Sequence, residues 1–496
     1  MEAACERSAS GTELLGGRRR HLAHRPGAAR RRFGFALGLV LGTATLAAAP
    51  VGAAGAPGAP PPPGEEQIEP VGALEKVRFL ADDARGGRAA GSEGNREAAR
   101  YIIERLRALG ITPAGDLAGA GAAGQGTPPG SAPSVESAYL QPFQAGTLQC
   151  HNIVALVRGR EPASAEHVLL GAHYDHVGLG QAGGSLQLFK RREPAIHNGA
   201  DDNASGSAAL LEIAEALAAL PTPPARHVVL VWFDAEERGL LGSQHYVRHP
   251  ALPLKHCVLM LNLDMVGRSR GGRAVLLGAT SGQGLLELMV PKAAELGLRL
   301  EVQPYMVPNS DHYPFYCEKV PVAFLTTGLH PDYHRPGDDA DKIEADGLAR
   351  VARLAYRTAL LAADEPSRRF SWREVADAPL GLMALEALEA LSGEQAFGEL
   401  AHLAYGPVGG LVLTPRAEGL EVVYLEPDSP LAAAGLRAGD LLVRVRGGLL
   451  GPRARALGGP LARLWLQLAI TGPPALVELR RGGERLELVH PVPFAR

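Results

Sequence analysis

The stretch Gly171-Ala172-His173-Tyr174-Asp175-His176-Val177-Gly178 follows the apolar run His167-Val168-Leu169-Leu170. A short apolar run closed by a glycine-containing turn reads as a strand buried on both faces. Histidine and aspartate at its end put imidazole and carboxylate at a sheet's carboxyl edge, where open α/β sheets bind ligands. The rest of the chain either repeats this pattern at other strand ends or leaves His173 a lone histidine.

It repeats the pattern. Gly199-Ala200-Asp201-Asp202-Asn203-Ala204-Ser205-Gly206 leads into a helix, and Asp234-Ala235-Glu236-Glu237 follows the apolar run His227–Phe233. Asn262-Leu263-Asp264 closes the run that starts at Cys257, and Tyr333-His334-Arg335-Pro336-Gly337-Asp338-Asp339 lies a short loop beyond Val320–Leu325. Any one cluster is weak, since a Glu-Glu pair is ordinarily solvated and a lone histidine ordinarily structural. Scattered surface charge does not collect at strand ends, however. Imidazole and carboxylate donors without thiolate suit zinc and could accept manganese or cobalt. A pair of metals about 3.5–4 Å apart needs a bridging group. Of two adjacent glutamates, one can bind metal while the other handles a proton.

Between these clusters strand and helix alternate. Strands are expected at Val168–Leu170, His227–Phe233, Cys257–Asp264, Ala274–Leu277 and Val320–Leu325, and helices at Ser205–Leu220, Gly239–Val247, Gly284–Leu296 and Ala345–Ala363. That order predicts an α/β domain, a mixed sheet with helices on both faces. Two further helices are expected between Ile68 and Gly110, joined by the glycine-rich loop Gly86–Ser92. A Gly/Ala/Pro-rich surface loop is expected over Ala114–Ser134.

Taken together, GAHYDHVG, NGADDNASG, DAEERGLLGS, NLDMVGR and YHRPGDD resemble the motifs of metallopeptidase family 28, the co-catalytic zinc aminopeptidases and glutamate-carboxypeptidase-like enzymes. The resemblance covers residues 67–363 and implies the zinc-dependent exopeptidase fold with two Zn2+ ions. It implies that His173 and Asp264 hold one zinc, Glu237 and His334 the other, and that Asp202 rather than Asp201 bridges them. Glu236 would be the general base, Asp175 would orient His173, and Tyr333 would stabilise the oxyanion. His176, His197 and the Ser310-Asp311-His312 loop have weaker claims on the site. The implied activity is removal of N-terminal residues from peptide substrates. The alternatives are a carboxypeptidase or dipeptidase of the same fold, a glutaminyl-cyclase-like acyltransferase, and a non-catalytic peptide-binding protein.

The ends of the chain read differently. Arg18 to Arg32 include seven arginines, followed by an apolar run from Phe33 to Ala49 and small residues at Val51–Ala54. This is the order of an export signal over 1–54, of Sec or twin-arginine type, or of a retained anchor. The expected location is periplasmic or extracellular, with membrane attachment only through an uncleaved signal. A Pro/Gly-rich spacer covers 55–66 and a polar linker 364–376. Residues 377–496 hold short β-like runs, and Gly419–Tyr424 with Pro427–Val443, which includes Ser429-Pro430-Leu431-Ala432-Ala433-Ala434-Gly435-Leu436-Arg437-Ala438-Gly439-Asp440, resemble the strand, turn-helix-turn and following strand of a bacterial-type PDZ domain. That resemblance implies a small β-rich module able to bind a peptide or protein C-terminus by strand addition, with Leu461–Ile470 as its groove helix and Gly406–Leu411 as a candidate carboxylate loop. A net charge of −3 gives no case for nucleic acid. Cys5, Cys150, Cys257 and Cys317 show no metal-binding spacing.

Overall fold

The computed structural model describes residues 60–115, 136–161, 165–180, 184–186, 194–269, 271–376, 411–416, 418–427, 429–445, 448–449 and 475–490. The expected export signal, most of the expected 114–134 loop, the expected 461–470 helix and residues 406–410 lie outside them. In chain order the larger domain contains α1 (Pro70–Leu80), α2 (Glu93–Ala108), β1 (Thr112–Pro113), β2 (Leu140–Ala145), β3 (Leu148–Val157) and β4 (His167–His173). Then come α3 (Gly206–Ala218), β5 (His227–Phe233), α4 (Leu241–Arg248), β6 (Cys257–Leu263), β7 (Arg273–Leu277) and α5 (Leu285–Glu295). β8 (Arg299–Val302), α6 (His312–Cys317), β9 (Val322–Thr326) and α7 (Ala345–Asp364) complete it.

The strands form one mixed nine-stranded sheet in the order β1-β3-β5-β4-β6-β9-β7-β8, with β2 paired to β3. β5, β4, β6 and β9 run parallel, so their carboxyl ends share one edge. β4 lies between β5 and β6, so the chain reverses its direction of travel across the sheet beside it, the switch point at which such sheets open a crevice. Every residue of β4, β5 and β6 is buried, which is why these strands are continuous apolar runs rather than alternating ones.

Alternation survives in which face each residue serves. Val168, Leu170 and Ala172 of β4 join the core under α1, α3 and α7. Phe233 of β5 turns to the other face and meets Tyr246 of α4 and Phe315 of α6, with ring centroids 6.2 and 6.0 Å away. α3 is buried along nearly its whole length, and α7 is amphipathic, with its arginines half-buried. α2 starts at Ser92, whose hydroxyl accepts the Asn95 N–H at 3.2 Å as an N-cap.

In the larger domain the expected strands and helices are all present, with ends shifted by up to three residues. β8 and α6 were not expected. Arg-Leu-Glu-Val is too short to carry a period, and α6 has Pro314 in its first turn, where proline is tolerated but reads as a breaker.

Two expected connectors are packed structure. At the end of the 55–66 spacer, Glu65 is buried and receives both Nε (2.6 Å) and Nη2 (2.7 Å) of Arg357 on α7. The 364–376 linker is a strap bound to the domain. Gln283 N–H donates to the Ser371 carbonyl at 3.0 Å, Arg373 N–H to Ser281 at 2.8 Å, and Met306 N–H to Ala376 at 2.8 Å. Phe370 and Val375 are buried in it, a cover for apolar surface that local composition does not reveal.

The C-terminal module is a six-stranded antiparallel sheet, β10 (Leu411–Pro415), β11 (Leu420–Leu425), β12 (Leu441–Val445), β13 (Gly448–Leu449), β14 (Ala475–Arg481) and β15 (Glu484–His490), with the short helix α8 (Pro430–Ala433). Leu411, Leu413, Leu420, Val422, Leu442 and Leu479 form its own core. The alternate residues Val412 and Tyr424 face the larger domain and join its core, and Arg373 of the strap donates to Glu421 at 3.4 Å. Among the described residues no helix is long and apolar enough to cross a membrane.

Candidate metal centre

His173 is the last residue of β4. Its Nε2 lies 3.4 Å from Asp202 Oδ1 and 3.3 Å from Asp264 Oδ1. Across Asp202, His334 Nε2 lies 3.0 Å from Asp202 Oδ2 and 3.1 Å from Glu237 Oε2. One carboxylate thus faces both histidines with different oxygens. Two donor groups result: His176, Asp202, Glu237 and His334, and His173, Glu236 and Asp264. All five expected ligands and the expected base are brought together here, Asp202 from the turn ahead of α3 and the others from the ends of four parallel strands or the loops that follow them.

Asp201 points elsewhere, as the expectation that Asp202 bridges requires. Its Oδ1 accepts the Gly267 N–H at 2.7 Å, and its Oδ2 lies 3.3 Å from His330 Nε2. Asp175 acts along two routes. His173 Nδ1 is 3.3 Å from the Asp175 carbonyl and 3.7 Å from its carboxylate, while that carboxylate accepts the Glu236 N–H at 3.0 Å. The aspartate therefore ties the histidine turn to the glutamate turn.

The supporting frame is largely buried polar structure. Asp338 Oδ2 accepts the N–H groups of Asp201 (2.9 Å) and Asp202 (3.0 Å), and Arg268 Nη2 donates to Asp338 Oδ1 at 2.6 Å. Asn203 donates to the Leu263 carbonyl at 2.9 Å and accepts from Met265 N–H at 3.2 Å, joining the Asp202 turn to the Asp264 turn. Ser310 donates to Asp264 Oδ2 at 2.7 Å. Arg88 is fully buried and donates to the carbonyls of Leu80, Tyr174, Asn198 and Gly199 at 2.7–3.0 Å. Asp234, first of its acidic run, is a turn former whose oxygens accept from His151, Ala235 and Asn95.

Burial would raise every carboxylate pKa here, and the histidines sort the outcome. Glu237, desolvated and beside Asp202, is nonetheless held down at about 2 by His334 and His176. Asp202 is likewise held well below its ordinary value against burial by His176, His173 and His334. Glu236 goes the other way, raised well above the usual range by burial and by Glu237, Asp311 and Asp264. Burial would lower His334, yet Glu237 and Asp202 raise it to about 11. His173 is raised well above its ordinary value by Asp264 and Glu236, against burial.

In this protonated arrangement His173 and His334 stand where cations belong. The donor set fits zinc: imidazoles and carboxylates, no thiolate, and a shared carboxylate. Asp264 Oδ1 is buried without a hydrogen bond, and His176 Nε2 and Asp175 Oδ2 are likewise unbonded among the described residues.

Of the weaker candidates, Ser310 joins the site through Asp264, and Asp311 is buried nearby with its carboxyl pushed up to about 7 by burial. His312 stacks on Phe324, 4.8 Å between centroids, and burial lowers it to about 3. His197 is held by the Ala195 carbonyl and Ser185 Oγ, both at 2.9 Å. Arg88 was hidden in a loop that reads as a connector. Asp338 and Arg268 stood in the quoted motifs with nothing local to mark their roles.

The fold and donor set define an α/β metal-site domain with its chemistry at the sheet's carboxyl edge. Residues 152–359 match the model of Peptidase family M28. Leupeptin-inactivating enzyme 1 of Streptomyces exfoliatus is 28% identical over 285 residues, 57% of this chain and 54% of that protein. Aminopeptidase YwaD of Bacillus subtilis (strain 168) is 29% identical over 225 residues, 43% of this chain and 45% of that protein. The chain therefore spans about half the length of these curated relatives. A solved zinc aminopeptidase from Bacillus subtilis aligns with a TM-score of 0.46 at 19% identity, over 62% of this chain and 99% of that one.

Proposed function

We propose that the protein is an exported zinc exopeptidase that removes N-terminal residues from peptides, with two Zn2+ ions held by its strand ends. The observation that carries this reading is Asp202, whose two oxygens face His173 and His334 from one carboxylate. His173 and Asp264 would hold one ion and Glu237 and His334 the other, with Asp202 between them. Zinc bound there supplies Lewis acidity toward a peptide carbonyl and makes a water in the site more acidic.

The remaining roles belong to the chain. Glu236 takes a proton from the attacking water at its carboxylate and hands it to the leaving amine nitrogen. The hydrogen bond from its N–H to Asp175 keeps its turn in register with His173. The Tyr333 phenol is raised well above its ordinary value by burial and by Asp202, Glu237, Glu236 and Asp264, so it stays protonated and able to donate to a developing oxyanion. A cavity of about 230 Å³ lined by Ala89, Ala90, Asp175, His176, Val177, Gly184, Glu237 and Arg238 adjoins the donors. The Bacillus relative is an aminopeptidase by name, and the N-terminal arginine and apolar run supports export. The C-terminal sheet is read as a PDZ-like module for peptide ends.

The test is a panel of peptides with free N-termini, blocked N-termini and blocked C-termini, plus an N-terminal glutamine peptide, each with and without chelator. Chelator-sensitive release of N-terminal residues from free-N-terminus peptides alone is expected. Cleavage of N-blocked peptides, or cyclisation of glutamine without hydrolysis, would replace the aminopeptidase reading.

A further inference from the structure

His176 follows His173 by three residues, and neither strand periodicity nor the motif assigns it a job. Its side chain is wholly buried. Nδ1 points into the site, 2.7 Å from Glu237 Oε1 and 3.8 Å from Asp202 Oδ2. Its ring meets that of His334 edge-on, 5.5 Å between centroids. One donor atom each from His176, Asp202, Glu237 and His334 lies within 4.8 Å of the others. Donors bound tetrahedrally at zinc distances sit roughly 3.3 Å apart, so small side-chain shifts suffice.

The ring has little freedom to be elsewhere. His176 N–H donates to the Arg88 carbonyl at 3.1 Å. Gly199, at φ +56°, backs against the ring so closely that a Cβ there would lie 2.5 Å from Cδ2. That glycine is needed both for its left-handed backbone and for the space the imidazole fills.

We infer that His176 is a further metal ligand, binding through Nδ1 at the Glu237–His334 position, which makes the two metal positions unequal. This rests on the two-zinc reading above. The Glu237–His334 position then has four protein donors, the number that closes a tetrahedral zinc site. The position held by His173, Asp264 and Asp202 has three and keeps a place for a non-protein ligand, as catalytic sites do, and Glu236 stands beside it. Binding at the closed position should be the tighter of the two.

The test compares wild-type full-length protein with His176→Ala and His176→Asn. Zinc per chain is measured after dialysis against graded chelator, zinc affinity is measured by calorimetry, and Co2+ absorption reports coordination number. Circular dichroism of the chelated proteins checks folding. The asparagine amide can still donate to Glu237 but is a poor zinc ligand. Wild-type should hold two zincs, one resisting chelator that removes the other. Both variants should lose the resistant one, with affinity down about tenfold or more and weaker tetrahedral Co2+ absorption. Unchanged affinity in His176→Ala overturns the inference. So does recovery in His176→Asn, which would make the histidine a hydrogen-bonding support for Glu237. If alanine unfolds the protein, the asparagine variant decides by the same readouts. A wild-type chain holding one zinc would remove the two-zinc reading, while its loss or retention in the variants would still decide the role of His176.

Discussion

At the scale of single residues, adjacent glutamates have opposite fates. Glu237 faces two histidines and is held at about 2, while Glu236 turns toward Asp264 and Asp311 and is raised. The proposed division between ligand and base matches which neighbours each side chain meets. Glu236→Gln should therefore leave zinc content at the wild-type level and lower kcat on an aminoacyl anilide by about 10²–10⁴-fold. Metal analysis beside steady-state kinetics checks it, and near-normal turnover would remove Glu236 as the base.

At the scale of elements, the site depends on how loops are pinned to strand ends. Arg88 ties the end of α1, the turn after β4 and the Gly199 turn together through one guanidinium. Burial lowers its pKa to about 10 while Asp202, Asp175 and Asp338 oppose the shift, so it stays charged at neutral pH. Arg88→Met leaves four carbonyls without their donor. Denaturation of the chelated protein should show a loss of about 3 kcal/mol or more. A loss under about 1 kcal/mol would mean that water or backbone replaces the clamp. The strap is the second such element. Truncation after Ala376 keeps it and should preserve hydrolysis of small aminoacyl amides. It uncovers the surface that Val412 and Tyr424 bury, so the melting temperature should fall. Complete loss of activity on small amides would make the C-terminal sheet part of the catalytic unit.

For the whole molecule, the site exchanges protons for metal. His334 is raised to about 11 and His173 is raised well above its ordinary value, so both carry protons near neutral pH when no metal is bound. Zinc must displace them, so apparent affinity should rise from pH 6 to pH 8, with proton release seen by calorimetry in buffers of differing ionisation enthalpy. Affinity independent of pH would contradict the histidine charge states. Chelation should lower the melting temperature, since zinc binds the folded state.

What could be read from the chain order was whatever local pattern encodes. The buried strands are continuous apolar runs because they lie between two helical layers, and the parallel order puts His173, Glu237, Asp264 and His334 at one edge. The choice of Asp202 over Asp201 came from resemblance; in the fold the Gly267 N–H holds the Asp201 carboxylate, while the Asp202 carboxylate faces His173 and His334. Other features had no local signature. Arg88 sits in a connector-like loop, the strap in a polar linker, and His176 on a turn that could have faced solvent. Their roles come from contacts across 61 to 111 positions of chain, such as His176 with Glu237 and Arg88 with Gly199. Burial and electrostatic partnership are properties of such distant pairs, and composition and period describe only neighbours along the chain.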